Sequence, residues 1–513
     1  MSQLLPNLQE QLVHSDLESN SSSPTRVSGQ HTRTGQGDVN EKEDYILVEF
    51  EVDDPRDPFN FSPGRKWAIT MTAVTYTMMA SWNLSSFAIG ITGMKAELGL
   101  STLQAAFGIA LYAWGFAFAP LILAPFSEEW GRNPLYIGSA ILFVLFAIPV
   151  ALAQNLATVL VARFIQGCAA STGSTMVGGS LTDIWKTKER GLPMSIFSLF
   201  AIGGTGLGAF AMSFVAADDK LGWRWIQWIT LILIGGGLIP AMLICMKETR
   251  STVLLTRLAR KKRKETNNPI YRSPSELTRP PLIELIKLSL KRPLVFLFTE
   301  PVVFTFSLWI SFVWGILYGI VEAIPYVFEQ LYGFGTIQMG LVYLSLVVAS
   351  FLGFGLNFYQ DHLYKKNFAA RGPEARLYGA CLSGMVFAIG CFIFGWTSYP
   401  DVHWIGPIVG LTVAILGLFV IYLSVFNYLA DAYLIYASSA LAAQSLSRNI
   451  FGGAFPLFIT PMYRNLNPRW SATIFGCLAA LMGIIPFVLF HYGPRIRAQS
   501  RIAKTLQTVA GDA

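Results

Sequence analysis

The sequence predicts an all-helical protein that crosses a membrane twelve times, and three observations support this. The 513 residues are 53% hydrophobic and 13% charged, with a mean hydropathy of +0.47, which leaves too little polar surface to cover a water-soluble globule of this size. From Trp67 onward the apolar residues gather into runs of about 20, enough at 1.5 Å per residue for a helix to cross a hydrocarbon layer roughly 30 Å thick. Between the runs, Lys and Arg concentrate in alternate connections, as basic loops do when they are retained on the cytoplasmic side.

In chain order, residues 1–64 come first. Ser, Gln, Asn, Asp, Glu and Gly dominate, and aromatics are scarce before Phe50. The segment cannot bury enough apolar surface to offset the entropy of ordering, so it is expected to be a largely disordered cytoplasmic tail, above all over residues 1–44. No basic start with a short apolar core and a cleavage site is visible, so a membrane helix is expected to direct insertion. Six runs follow, at 67–90, 105–126, 135–154, 157–179, 192–215 and 226–246, within a first helical unit spanning 65–246. A polar, basic stretch at 247–300 divides the chain and is expected to act as a flexible cytoplasmic strap. Six more runs, at 301–324, 338–358, 377–396, 404–428, 438–461 and 470–491, form a second unit over 301–492, and residues 493–513 form a cytoplasmic tail.

Orientation follows from the basic residues. Connections expected inside hold 27 Lys and Arg, thirteen of them in 247–300, whereas the outer connections hold five: Lys95, Lys220, Arg224, Arg464 and Arg469. Both termini are therefore expected in the cytoplasm. The net charge of +7 is explained by topology, with the run Arg260 to Lys264 near lipid headgroups, and no nucleic-acid partner is expected. The five Cys and five His form no CxxC, HExxH or metal-spaced cluster, and no GxxxxGK[ST] loop cradles a nucleotide. No metal, cofactor or enzymatic activity is expected. His362, His403 and His491 fall near span ends without a paired nucleophile.

Several residues at membrane depth carry candidate chemistry. The loop "APFSEEWGRNPLY" after the second run has Gly131 for a tight turn, with Glu128 and Arg132 placing opposite charges at facing helix ends. Arg163, in "VARFIQGCAASTGSTMVGG", is a charge several residues inside an apolar helix, costly unless it faces protein or water. In "FAIGGTGLGAFAMS", Gly204 and Gly208 are four apart, a small-residue surface for close helix approach. Glu322 lies near the outer end of the seventh run, where Pro325 is expected to interrupt the helix; an intramembrane carboxylate is a candidate proton site. Arg448 in the eleventh run suits a cavity that receives anionic or polar groups. Trp82, Asn83, Tyr112, Trp114, Tyr318, Asn427 and Tyr428 supply aromatic faces and amides for varied ligands and are candidate cavity residues.

These motifs carry a family resemblance. Pro125, Ser127, Glu128, Gly131 and Arg132 match the inner-loop signature of the major facilitator superfamily, although Glu129 and Asn133 stand where that pattern has basic residues. Arg163, Gln166 and Gly167 resemble the span-four signature of its proton-coupled drug exporters, and the glycines of span five resemble their antiporter signature without its kink-giving proline. With "DPFNFS", "KETR", "GPEARL" and "ADAYLIYASSALAA", residues 54–492 resemble the fungal twelve-span multidrug and polyamine exporters. The resemblance implies two six-helix bundles around a central cavity and alternating access by rocking of the halves. It also implies proton-coupled export of a small amphipathic compound by a monomer, with Arg163 in proton coupling, beside Glu322 as the proton site read from its own position, and Glu128, Gly131, Arg132, Gly204 and Gly208 in gating. Protons, the substrate and the bilayer are the expected partners, and the plasma membrane the expected site, with the vacuolar membrane as another. Uptake or exchange of an organic acid or nutrient is the alternative, and a non-transporting receptor a third.

Overall fold

A computed structural model describes residues 26–27 and 45–499, apart from 52, 187–188, 279–280 and 434–435. The tail expectation for residues 1–44 therefore lies outside the described residues, except at Arg26–Val27, which pair with the strand Tyr45–Leu47.

Among the described residues, nine helical stretches are long and apolar enough to cross a membrane. Two of them, Thr336–Thr397 and Ala437–Ala498, are 62 residues long, far more than one crossing needs. Each breaks where a positive φ turns the chain, at Gly372 and at Asn467. The 36-residue helix Pro63–Leu98, whose Thr, Ser and Asn dilute its apolar character, completes twelve spans. Spans one to six are Pro63–Leu98, Thr102–Glu129, Arg132–Ala151, Leu156–Ile184, Gly191–Ala216 and Gly222–Cys245. Span seven is Pro301–Tyr332, span eight comprises Thr336–Val342 and Leu344–Arg371, span nine is Leu377–Thr397 and span ten Ile405–Tyr433. Span eleven runs from Ala437 to the break at Asn467, and span twelve continues from there through Gln499.

Local chemistry sets the ends. Ser101 and Gln104 form a capping box at the start of span two, Asn155 accepts from Thr158 at the start of span four, and Gly99 and Gly333 end spans one and seven in the left-handed conformation. Pro325 does not end span seven, contrary to the sequence expectation: the helix continues to Tyr332. Proline removes the hydrogen bond that its nitrogen would give to the carbonyl four residues back, which is Val321, and the Tyr343 hydroxyl donates to that carbonyl instead. Gly204 and Gly208 let span five lie directly on the backbone of span one. A Cβ at Gly208 would come within 2.6 Å of Trp82 Cα and of its carbonyl oxygen.

The stretch between the halves is not a flexible strap. It folds into the helices Ser251–Thr266, Pro274–Thr278 and Leu282–Thr299, while Tyr271–Arg272 pair in parallel with Ile46 and Leu47. Its charges pair internally: the Arg263 guanidinium donates to both Glu276 oxygens at 2.9 and 2.7 Å. That fork and the Ser273 N–H hold the Glu276 carboxyl down at about 2. The face carrying these helices is called the linker face below, and the opposite one the far face.

Candidate functional site

At mid-depth, where the halves meet, is a cavity of about 30 Å³, room for about one water. Its lining combines the aromatic rings of Tyr112, Phe116, Trp314, Tyr318 and Tyr422 with the hydroxyls of Ser81, Ser174 and Thr205 and the polar side chains of Arg448 and Asn449. Trp314 and Tyr422 lie 4.9 Å apart, and the Arg448 guanidinium sits 4.6 Å from the first ring and 5.1 Å from the second.

Contacts between the halves flank this cavity. Spans five and eight meet on the linker side, where Asn357 Nδ2 donates to Ser195 Oγ at 2.6 Å, and again on the far side, where Gly340 lies against Ser213. Spans two and eleven meet along the other flank, where Trp114 Nε1 donates to the Ile450 carbonyl at 3.2 Å and Gly453 packs on Trp114. In this conformation the central space is too small for an organic ligand.

Of the expected cavity residues, Tyr112, Tyr318 and Arg448 line the cavity. Trp114 instead seals the interface between the halves. Trp82 carries the close contact with Gly208. Asn83 is fully buried in an amide network with Gln166 and Gln227. Asn427 is half-buried outside the cavity lining. Tyr428 donates to Glu374 at 3.3 Å, among the charges of the linker face. Asn83 and Tyr428 are displaced for one reason: a polar side chain in a span satisfies its hydrogen bonds within its own half as readily as it faces the centre.

Arg163 is 0% exposed. Its guanidinium is sandwiched 4.2 Å from the rings of Phe87 and Tyr112 and donates to the carbonyls of Gly108 and Asn83 and to Gln166 Oε1. It does not snorkel, and among the described residues no carboxylate pairs with it. Tyr112 joins this site to the cavity, since one of its faces covers Arg163 and it also lines the central space. Glu322 lies inside span seven, 8% exposed, with no Lys or Arg of the described residues within ion-pair distance.

The linker face holds three of the gating candidates, Glu128, Gly131 and Arg132, while Gly204 and Gly208 pack on span one within the membrane. Glu128 and Arg132 do not face each other: Arg132 Nε donates to Asp183 Oδ2 of span four at 2.5 Å, whereas Glu128 lies 3.8 Å from Arg250. Arg250 also approaches Asp183, at 3.5 Å. Gly131, at φ 98°, leaves room for the Glu248 carboxylate, which accepts the N–H groups of Arg132 and Arg250 at 2.9 and 3.0 Å. In the second half Arg376, at the start of span nine, pairs with Asp431 at 2.9 Å and Asp361 at 3.2 Å, while Glu374 is held by Arg497 at 2.7 Å. Sequence reasoning missed Asp183, Glu248, Asp361, Asp431, Glu374 and Arg497. The available signal was positional, acids recurring at the linker-side ends of spans two, four, eight and ten.

Two helical halves enclosing a mid-membrane cavity and closed by paired charges are the architecture of a secondary transporter. A family model described as Major Facilitator Superfamily matches residues 71–456, and the chain belongs to that superfamily. It is 35% identical to the ascochitine biosynthesis cluster transporter of Didymella fabae, covering 92% of this chain and 92% of that one. It is 32% identical to the multidrug transporter FLU1 of Candida albicans, covering 91% of this chain and 77% of that one. Among solved structures, the xylose transporter XylE of E. coli in a partially occluded inward-open conformation aligns at a TM-score of 0.59 and 16% identity, over 84% of this chain and 98% of that one.

Proposed function

We propose that this protein exports a small amphipathic organic compound, a xenobiotic or a fungal secondary metabolite, through the central cavity by alternating access, in exchange for protons. The cavity carries this reading: rings offer apolar faces to varied ligands, while Arg448, Asn449 and the hydroxyls orient their polar ends. Relatives named multidrug and biosynthesis-cluster transporters support the same reading. The linker face is then the cytoplasmic one, in keeping with its basic residues, and the home membrane is the plasma membrane.

Glu322 is the proton carrier in this scheme. A carboxyl at membrane depth, outside any ion pair, gains or loses a proton without breaking a salt bridge, so the step changes the charge of the second half alone. Arg163 takes the complementary part, reporting cavity occupancy through the Tyr112 ring that the two sites share. The test uses purified full-length protein in vesicles, a panel of amphipathic fluorescent compounds and an imposed pH gradient. Flux that follows the gradient in the wild type and becomes indifferent to it in Glu322→Gln is the expected result. Flux blind to the gradient in both removes proton exchange, and no flux for any compound removes export.

A further inference from the structure

We infer that the cavity selects for organic anions, specifically planar aromatic acids whose carboxylate pairs with Arg448. This rests on the cavity being the transport site and goes further by naming the charge of what it carries.

Three observations on Arg448 carry the inference. It is 5% exposed at mid-membrane and lines the cavity, so its charge points into the space the substrate must occupy. Its hydrogen bonding is poor: one long contact runs from Nη2 to Ser445 Oγ at 3.5 Å, and buried Nε has no partner. No carboxylate of the described residues lies within ion-pair distance of it. A buried cation with so few acceptors lacks the compensation that such charges ordinarily require. The Trp314 and Tyr422 faces supply part of it, but a ring face is a weaker partner than an oxyanion.

Arg163 is the better-satisfied arginine of this same chain. It lies between two rings as well, and although its Nη2 also has no partner, three oxygens accept from its Nε and Nη1, and Tyr112 lies between it and the cavity. Arg448 has the rings without the acceptors. The guanidinium fork matches a carboxylate with two parallel hydrogen bonds, whereas the neighbouring Asn449 Nδ2 is already engaged by the Ser445 carbonyl at 2.9 Å. The surrounding rings of Tyr112, Phe116 and Tyr318 then fit the aromatic body of the ligand.

The experiment compares three ligands of one shape: 2-naphthoate (anion), 2-naphthamide (neutral) and 2-naphthylmethylammonium (cation). Binding to purified full-length protein is read by tryptophan fluorescence, and flux is measured in vesicles. Wild type is expected to bind naphthoate at least tenfold more tightly than either analogue. Arg448→Gln erases that preference, while Arg448→Lys, which keeps the charge without the fork, retains part of it and shows that the site still folds. Equal or tighter binding of the amide or the ammonium by wild type, or an anion preference that survives Arg448→Gln, overturns the inference. A tenfold preference that vanishes in Arg448→Gln, with no flux in vesicles, leaves the anion site standing and removes the transport reading instead.

Discussion

The linker faces of the two halves share a pair, an arginine at the start of the third span and an aspartate at the end of the fourth (Arg132 and Asp183, Arg376 and Asp431), but differ in which partner of that pair holds the centre. In the first half one acid, Asp183 at the end of span four, sits between two arginines, Arg132 at 2.5 Å and Arg250 at 3.5 Å. In the second half one arginine, Arg376 at the start of span nine, sits between two acids, Asp431 at the end of span ten and Asp361 near the end of span eight. The end of the sixth span of each half adds a further contact to the loop that opens the third: Glu248, just past span six, accepts backbone N–H groups in the first, and Arg497, in the last turn of span twelve, pairs with Glu374 in the second. What the repeat preserves is therefore the bracing of three helix ends by charge, and either sign can hold the centre. Redundancy differs with it: among the described residues the first half has a second cation within ion-pair distance of its centre, whereas in the second Asp361 and Asp431 have only Arg376 at that range.

The largest expected effect follows from that difference. Arg376→Gln leaves Asp361 and Asp431, each 24% exposed, without their shared cation, and should cost about 2 kcal/mol, below the 3–5 of a fully buried pair because water still reaches them. Arg132→Gln leaves Arg250 near Asp183 and should cost about 1 kcal/mol. Unfolding midpoints of the two purified variants in the same detergent provide the check. A loss in Arg132→Gln equal to or greater than that in Arg376→Gln would contradict the redundancy argument.

Gly131→Ala ranks alongside Arg132→Gln and probes the third corner of the first half. A side chain at φ 98° is strained, at a cost of about 1–3 kcal/mol, and its Cβ would enter the space of the Glu248 carboxylate. The two sources separate in a double-mutant cycle: the cost of Gly131→Ala should shrink when Glu248→Ala has already emptied that space. Strict additivity would leave backbone strain as the whole effect. The second half has a counterpart without the strained backbone: a Cβ at Gly493, whose φ is not positive, would fall 2.7 Å from Glu374 Oε1, so Gly493→Ala should cost less than Gly131→Ala.

The spans were legible in the sequence because length and hydropathy act residue by residue, and the inward-facing Tyr112, Tyr318 and Arg448 were legible because their cost in lipid demands a polar neighbour. Asp183, Asp361 and Asp431 were not, since an acid at a helix end reads as ordinary solvated polarity until the fold brings an arginine from another helix against it. Tyr428 and Asn83 misled for the converse reason. Each is polar in an apolar run, as a ligand-binding residue would be, yet finds its partner within its own half. The linker was misread because its basic residues were taken as a topology signal alone, while Glu276 and Ser273, which fold it, are unremarkable in composition.

The linker gives the smallest expected effect and belongs to neither cluster, so it tests whether bracing by charge extends to the connection between the halves. The Glu276 carboxyl, held by Arg263, is lowered from 4.5 to about 2, so its contribution is fully present above 4.5 and is lost as pH falls from 4.5 through about 2. Limited proteolysis between Thr266 and Leu282 should therefore stay slow from neutral pH down to the upper edge of that window and accelerate below it. Glu276→Gln cannot accept the guanidinium fork as an ion pair, so it should be cut faster at neutral pH and lose most of the acid response. Because Arg263 is 20% exposed, screening limits the change to a few-fold in cleavage rate. If wild type and variant show the same pH profile, the helices and the short parallel pairing of Ile46 and Leu47 with Tyr271 and Arg272 hold the linker by themselves, and charge bracing is confined to the two halves.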